Sequence, residues 1–326
     1  MLFVKNSSLD PWFNIAAEEY LLKQFEQEII MIWRSESSII VGKHQNTLAE
    51  INAEYVIKHE IPVVRRLSGG GTVFHDPGNI NFTFIKSIDK DNLVNFRMHT
   101  EPVIAFLQSL GVDAQFEGKN DLRVNGLKIS GNAEHIHKKK VLHHGTLLFD
   151  SDLNNLYEAI KAKEQNFESK AVKSIRSTVT NISSFLKTPM THEGFQKSFE
   201  NFFLEIYPNL QRYDLSAGDI SAINELKENK YKQWEWNFGW SPVYRFKNHI
   251  RLHGKNIAVE LKVSKGIIED AVVSVDEKKL NDNDPITVGL KDLPHKPEEI
   301  AKLLAEVDFF GFNGLADPWE LLRLFF

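Results

Sequence analysis

The residues best equipped for chemistry lie at positions 65–78, which read RRLSGGGTVFHDPG. Three consecutive glycines, Gly69, Gly70 and Gly71, follow an apolar, strand-like approach at 61–64 and lead to His75, Asp76 and Pro77. Without a Cβ, glycine lets backbone N–H groups come close to a ligand and reach conformations closed to other residues. Successive exposed N–H groups form a concave anion site, and Arg65 and Arg66 add fixed positive charge beside it. Such a loop suits a phosphate or a carboxylate. It lacks the Gly-Lys-Ser/Thr ending of a Walker A loop, and the Gly-x-Gly-x-x-Gly spacing that opens a helix in dinucleotide sites. Taken alone, it also reads as a glycine-rich turn between two strands.

Lys128 stands in an otherwise apolar run, Leu127-Lys128-Ile129-Ser130-Gly131. Plain strand alternation puts its side chain on the face of residues 126 and 130, with Leu127 and Ile129 opposite. There its ammonium can face a cavity and grip phosphate or carboxylate oxygens; the alternative is a surface lysine on an edge strand. Just upstream, Asn120 and Asp121 put an amide and a carboxylate at the start of a strand, a donor pair that suits Mg²⁺ bound with substrate phosphates, or simply a turn. His135 and His137 stand beside three lysines and read as a solvated hairpin tip, short of the four ligands of a structural zinc site. His143 and His144 open a further strand, where either could position substrate or serve the structure. Arg176 and Thr180 belong to a pocket rim or to a loop entering a helix. Trp234, Trp236, Phe238 and Trp240 read as packing between domains.

The elements that must hold these residues follow from local pattern. Asp10-Pro11 is an N-cap and first-turn proline, opening a helix through Leu22. Strands are expected at 29–33, 38–41, 61–64 and 80–85, and helices at 51–59 and 102–110. Asn125-Gly126 marks a tight hairpin between 122–124 and 127–129, and a second strand pair is expected at 131–136 and 141–149. Helices follow from 152, at 193–207, 297–307 and from 318, with short strands after about 246. This mixed order indicates an α+β (mixed α/β) fold with mixed or antiparallel sheets and flanking helices. A boundary near residues 243–247 divides a large domain, 1–244, from a small α+β domain, 245–326.

Apolar content of 42% and charged content of 25% are those of an ordinary globular protein. A formal charge of −5 argues against broad nucleic-acid binding. The sequence offers no signal peptide pattern and no run of membrane-spanning length, so a cytoplasmic protein is expected. There is no cysteine, which excludes disulfides, thiolate metal sites and a cysteinyl intermediate within this chain.

Together, RRLSGGGTVFHDPGNINFTF, GKNDL, LKISGNA, HHGTLLFD, SIRSTVTNIS and WEWNFGWSP resemble the lipoate–protein ligase family in order and approximate spacing. DPWFNIAAEEYLL near the start resembles that family's first helix, and the likeness runs from about residue 10 to 242. The resemblance implies a catalytic domain of the biotin/lipoate ligase type and an ATP-dependent, two-step reaction. Lipoate and MgATP give lipoyl-AMP and pyrophosphate, and the acyl group then passes to a lysine of a lipoyl carrier domain. It further implies that Lys128 is the essential lysine. Arg66, Gly71, Thr72, Val73, Phe74, Asn120 and Asp121 would bind ATP or lipoyl-AMP, with Asp121 near Mg²⁺. Arg66, Lys128 and His144 would contact lipoate, with Leu67 and Val73 as further wall residues. Leu67, Lys119 and Asn132 depart mildly from relatives, and none removes a required charge. The implied partners are lipoyl domains of 2-oxoacid dehydrogenase acyltransferases and the glycine-cleavage carrier protein, met by a monomer without nucleic acid or membrane.

Four rival functions arise on sequence grounds. A transferase on the same scaffold would carry a cysteine acyl acceptor, which is absent. A transferase fed with preformed lipoyl-AMP, or a non-catalytic lipoate or nucleotide binder, keeps the same pocket. A biotin–protein ligase would carry a different glycine–arginine signature.

Overall fold

The computed structural model describes residues 1–88, 95–161 and 164–326. The chain forms two compact units, neither continuous in sequence. The larger takes in 1–43, 61–157 and 174–233, and the smaller 44–60, 158–173 and 234–326.

An eight-stranded mixed sheet runs through the larger unit, in the order Gln211–Asp214, Leu2–Lys5, Ile29–Arg34, Asn79–Ser87, Lys140–Leu148, Leu127–His137, Asp121–Val124, Gln115–Glu117. The first three strands are parallel and every later neighbour is antiparallel. One face is apolar: Ile30, Ile32, Phe82 and Phe84 meet Phe106 from helix Phe96–Ser109 and Phe195, Phe199 and Phe203 from helix His192–Ile206. Ridges of aromatic rings at i, i+4 and i+8 on the second helix fill that layer. Helix Pro11–Gln24 also packs on the sheet; Asp10 caps it by accepting from the Trp12 and Phe13 N–H groups. It is buried on most of its circumference, so its apolar residues show no single stripe.

A separate three-stranded sheet, Val63–Arg65, Ser38–Val41, Val73–His75, carries the glycine loop. Its outer strands flank Ser38–Val41, one parallel and one antiparallel, so residues 66–72 must cross over the end of the middle strand. The hairpin at Asn125 and Gly126 has φ of +51° and +77°, the pair of positive values that a type I′ turn demands.

Most expected elements are present, but the helix expected at 51–59 covers only Ala53–Lys58, strands Leu2–Lys5 and Val73–His75 had no expectation, and further differences follow. The helix expected from Pro102 begins at Phe96 and carries the proline inside it; proline's fixed φ is compatible with a helix, and its preference for the first turn misleads here. The two strands expected at 127–129 and 131–136 are one strand, Leu127–His137, because Gly131 keeps its extended pairing. Strand Gln211–Asp214 and helix Ala217–Leu226 had no expectation.

In the smaller unit an antiparallel sheet runs Phe167–Ser169, Tyr244–Leu252, Lys255–Ser264, Ile267–Val275, Lys278–Lys279, with helices Pro285–Leu290 and Pro297–Glu306. Trp234 stacks with Phe238 and lies flat against Gly266, where a side chain would overlap its ring. Trp236 and Trp240 meet each other, and Trp240 is largely exposed. No helix among the described residues is long and apolar enough to cross a membrane.

Burial keeps several imidazoles neutral. In the larger unit burial, then the charges of Arg66 and His144, depresses His75 to about 3; burial, then His143, depresses His99 to about 4. His143 is held well below its ordinary range chiefly by burial. In the smaller unit burial lowers His295 to about 4, between Tyr244 Oη and Phe325 O. In the unfolded chain these groups titrate near 6.5, so their contribution is complete above that value and lost as pH falls toward the folded values. Glu134, raised by burial, acts in the opposite direction. Burial likewise lowers His135 to about 4, so unfolding at pH 5 is expected to take up protons net. Urea unfolding at pH 5 and pH 7 checks this: stability should fall on acidification, and equal stability at both would contradict it.

Candidate active site

Arg66 leaves strand Val63–Arg65 pointing inward and is only 4% exposed. Its Nε donates to Ser68 Oγ (2.8 Å), Nη1 to Ile40 O (3.0 Å), and Nη2 to Gly69 O (2.6 Å) and Gly71 O (2.7 Å). Four of its five N–H groups therefore hold protein acceptors. Burial lowers its pKa to about 10, against which the Glu18 carboxylate works. Arg66 thus lies under the loop and shapes it. Gly70 takes a φ of +85°, which favours glycine, with Arg66 Nη2 3.2 Å from where a Cβ would stand. Gly71 lies against Ser174, whose Oγ accepts the Thr72 N–H at 2.8 Å. Thr72, Val73 and Leu67 are half-buried, and Phe74 is buried. Asp76 accepts from the Gly78 and Asp152 N–H groups, so the loop's exit is a structural turn.

Lys128 owes its direction to a defect in its strand. Arg123 pairs with Lys128 but Leu122 pairs with Ser130, so Ile129 is an extra residue, a β-bulge. Simple alternation would have placed Lys128 with Ser130. After the bulge, Ser130 shares a buried hydrogen bond with Asn132, while Lys128 lies over Gly131, its Nζ 3.3 Å from where a Cβ there would stand. The Lys128 ammonium then meets Asp121 Oδ1 at 2.8 Å, and Arg123 Nη2 holds Oδ2 at 2.9 Å. All three side chains are between 16% and 24% exposed, so the cluster is reachable from solvent. The backbone of Lys128 is also fixed: its N–H donates to Thr178 O and its carbonyl accepts from Thr180 N–H, both at 3.0 Å. Thus the segment carrying Ser174, Arg176 and Thr180 borders both the glycine loop and Lys128. Arg176 is exposed.

Asn120 is half-buried, and its side chain donates to Asn132 O, while Asn132 Nδ2 donates back to Asn120 O at 2.9 Å. His144 has both ring nitrogens engaged, Nε2 with Ser68 Oγ at 2.6 Å and Nδ1 with Glu18 Oε2 at 2.8 Å. His143 lies on the other face of the sheet, between Glu134 Oε1 (2.9 Å) and Asn132 Oδ1 (3.2 Å). The site thus joins a cationic cluster to a rigid glycine loop, an arrangement fit to hold phosphate and carboxylate oxygens together.

Comparison with known proteins gives the family. Residues 10–204 match the lipoyl protein ligase A/B catalytic domain, and residues 241–325 the bacterial lipoate protein ligase C-terminus. The chain is 40% identical over 331 residues to a lipoate–protein ligase of Bacillus subtilis, covering 100% of both. The chain belongs to the lipoate–protein ligase family. It is an enzyme, a ligase, with that family's fold. A Thermoplasma acidophilum bipartite lipoate protein ligase, solved in a study of that ligase and its E2 lipoyl domain, is 25% identical with a TM-score of 0.63, over 73% of this chain and 96% of the other. A lipoate–protein ligase A bound with ATP gives a TM-score of 0.63 at 24% identity, covering 73% of this chain and 98% of that one.

Within this ligase, four residues that sequence reasoning had not selected help build the site: Glu18, Ser68, Arg123 and Ser174. Ser68 stood inside the glycine motif and Ser174 beside Arg176, so proximity was their only signal. Glu18 and Arg123 had none. Replacing Arg66 by lysine keeps the charge but removes the planar fork. Arg66→Lys is expected to speed amide hydrogen exchange at residues 68–72, with strand Lys140–Leu148 unchanged. Unaltered exchange in the loop would contradict the scaffold role.

Proposed function

We propose that this ligase activates lipoate with ATP to lipoyl-AMP, releasing pyrophosphate, and then acylates one lysine of a lipoyl carrier domain. Carrier domains of 2-oxoacid dehydrogenase acyltransferases and the glycine-cleavage carrier protein fit the second step. The ATP-bound and lipoyl-domain studies of relatives support the two substrates. Residues 1–244 would act as the catalytic part and 245–326 as an accessory domain, working as a monomer in the cytoplasm.

The observation that carries this reading is the Lys128 ammonium, aimed by a bulge and resting on Asp121 at 2.8 Å. Adenylation brings an anionic carboxylate against an anionic α-phosphate, so cations must gather where the charges meet. Lys128 can leave Asp121 for those oxygens, because Arg123 stays behind to compensate the carboxylate. The N–H groups of Gly69, Gly70 and Gly71 supply further donors to the phosphates, over a loop that Arg66 has already shaped. Half-buried Leu67 and Val73 offer an apolar wall to the lipoyl chain.

Mg²⁺ fits this donor set in a limited way. No group of three or more His, Asp or Glu among the described residues is arranged to hold a metal. Asp121 offers one carboxylate beside the phosphate-binding groups, which suits an ion that keeps waters and arrives on the nucleotide. Bound there, Mg²⁺ would draw negative charge from the phosphate oxygens.

Lipoate-dependent pyrophosphate release in the presence of MgATP tests the reading. The wild-type protein should release it, and Lys128→Ala should lower the rate by about 10²-fold, as loss of one preorganised donor does. A wild-type protein that transfers lipoyl-AMP yet releases no pyrophosphate would leave the adenylate-fed transferase instead. A Lys128→Ala rate equal to wild type would remove Lys128 from the chemistry.

A further inference from the structure

On the aromatic side of the large sheet a carboxyl group is buried with only imidazoles beside it. Glu134 lies directly across from His143 on the neighbouring strand, its side chain 3% exposed. Its Oε1 stands 2.9 Å from His143 Nδ1 and 3.9 Å from His99 Nε2, while Oε2 is buried with no hydrogen-bond partner among the described residues. The other ring nitrogen of His143, Nε2, stands 3.2 Å from Asn132 Oδ1. The orientation of that amide is fixed elsewhere. Asn132 Nδ2 donates to the main-chain carbonyl of Asn120 at 2.9 Å, and a carbonyl can only accept. Oδ1 is therefore the atom facing His143, and the imidazole must carry a proton on Nε2.

Two arrangements of Nδ1 then satisfy the contact with Glu134. Either a neutral imidazole accepts from a protonated carboxyl, or an imidazolium donates to a carboxylate. Both hold one proton more than a carboxylate beside a neutral ring. The neutral form fits the surroundings. The rings of Phe82, Phe84 and Phe96 lie about His143 at 5.9–6.1 Å, and His99 lies 4.9 Å away. A carboxylate there would leave a charged oxygen without a partner, whereas an acid leaves only a carbonyl oxygen. Lys86 and His144 on the sheet act against an imidazolium, and helix His192–Ile206 adds phenylalanine rings to the layer. Against the neutral form stand His99 and the Asn95 N–H from the start of helix Phe96–Ser109, which favour the carboxylate less than burial opposes it.

We infer that Glu134 is a neutral acid donating to His143 Nδ1, and that this pair, through Asn132, positions Asn120 and Asp121 for adenylation, an inference that rests on the ligase reading above. Asn132 and Asn120 exchange side-chain hydrogen bonds, and the Asn132 N–H adds a third at 3.1 Å. Asn120 precedes Asp121, whose carboxylate holds Lys128 at 2.8 Å. Were Glu134 ionised beside a neutral ring, the imidazole proton would turn to Nδ1. The bare Nε2 would then face Asn132 Oδ1, acceptor against acceptor, and push Asn132 away from Asn120. Glu134 and His143 touch no reacting atom; they are positioning residues.

Nitrogen NMR of the ¹⁵N-labelled wild-type protein at pH 7 reads the proton directly. His143 is expected with Nε2 protonated and Nδ1 bare; a ring protonated on Nδ1, alone or together with Nε2, overturns the assignment. Glu134→Gln offers an amide N–H in place of the acid proton. It should keep the tautomer and release lipoate-dependent pyrophosphate within about twofold of wild type. His143→Phe removes the donor to Asn132 while filling its space. It should slow that release about tenfold, the effect of one lost buried hydrogen bond, with the KM for lipoate unchanged. The positioning role is overturned if His143→Phe works within about threefold of wild type, or if Glu134→Gln is as slow as His143→Phe. A wild-type protein that releases no pyrophosphate would refute the ligase reading and the positioning role with it, while the His143 spectrum would still decide where the proton lies.

Discussion

Arg66 is the point on which the site's geometry turns, because one planar guanidinium meets a strand carbonyl, a serine hydroxyl and two loop carbonyls at once. Desolvating a guanidinium is costly, and multiple charge-assisted hydrogen bonds with a nearby carboxylate are what make it tolerable. Glu18 supplies that carboxylate and also holds His144. The charge that shapes the glycine loop and the chain that orients Ser68 are therefore one network. Removing any member leaves a buried polar group without its partner, which costs more than the bond itself contributed.

The other half of the site depends on a local irregularity. A regular strand would have given Lys128 the same side as Ser130, whose hydroxyl bonds to buried Asn132. One extra residue at Ile129 turns the ammonium to Gly131 and Asp121 instead, and leaves Ile129 wholly buried. Pairing with Thr178 and Thr180 then fixes the backbone at the residue whose side chain must move. A rigid main chain under a long, flexible side chain lets Lys128 exchange one anion for another without disturbing the strand.

Much of the fold was legible because local signals agreed with the tertiary structure. Asp10-Pro11 capped a helix, Asn125-Gly126 made a type I′ hairpin, and alternating residues at 80–85 formed a central strand. The glycine loop, Lys128 and Asp121 were also legible, since their residue types are unusual in those settings. What escaped was set by contacts remote in sequence. Glu18 lies 126 positions from His144, and nothing near it marks it as other than a helix glutamate. The bulge at Ile129 left no trace, because bulges are decided by the pairing partner as much as by the strand. Segments 44–60 and 158–173 join the C-terminal unit with no compositional sign that they should. Arg66 was noted for its charge, while the hydrogen bonds that place it beneath the loop appear only in the geometry.

The most direct measurement is the intact mass of an apo lipoyl domain after incubation with this protein, lipoate and MgATP, followed by mapping of the modified residue. One lipoyl group on a single lysine is expected, absent without ATP and added about 10²-fold more slowly when Lys128→Ala replaces the wild-type chain. An unmodified domain, or modification that proceeds equally without ATP or without the Lys128 amine, would contradict the account.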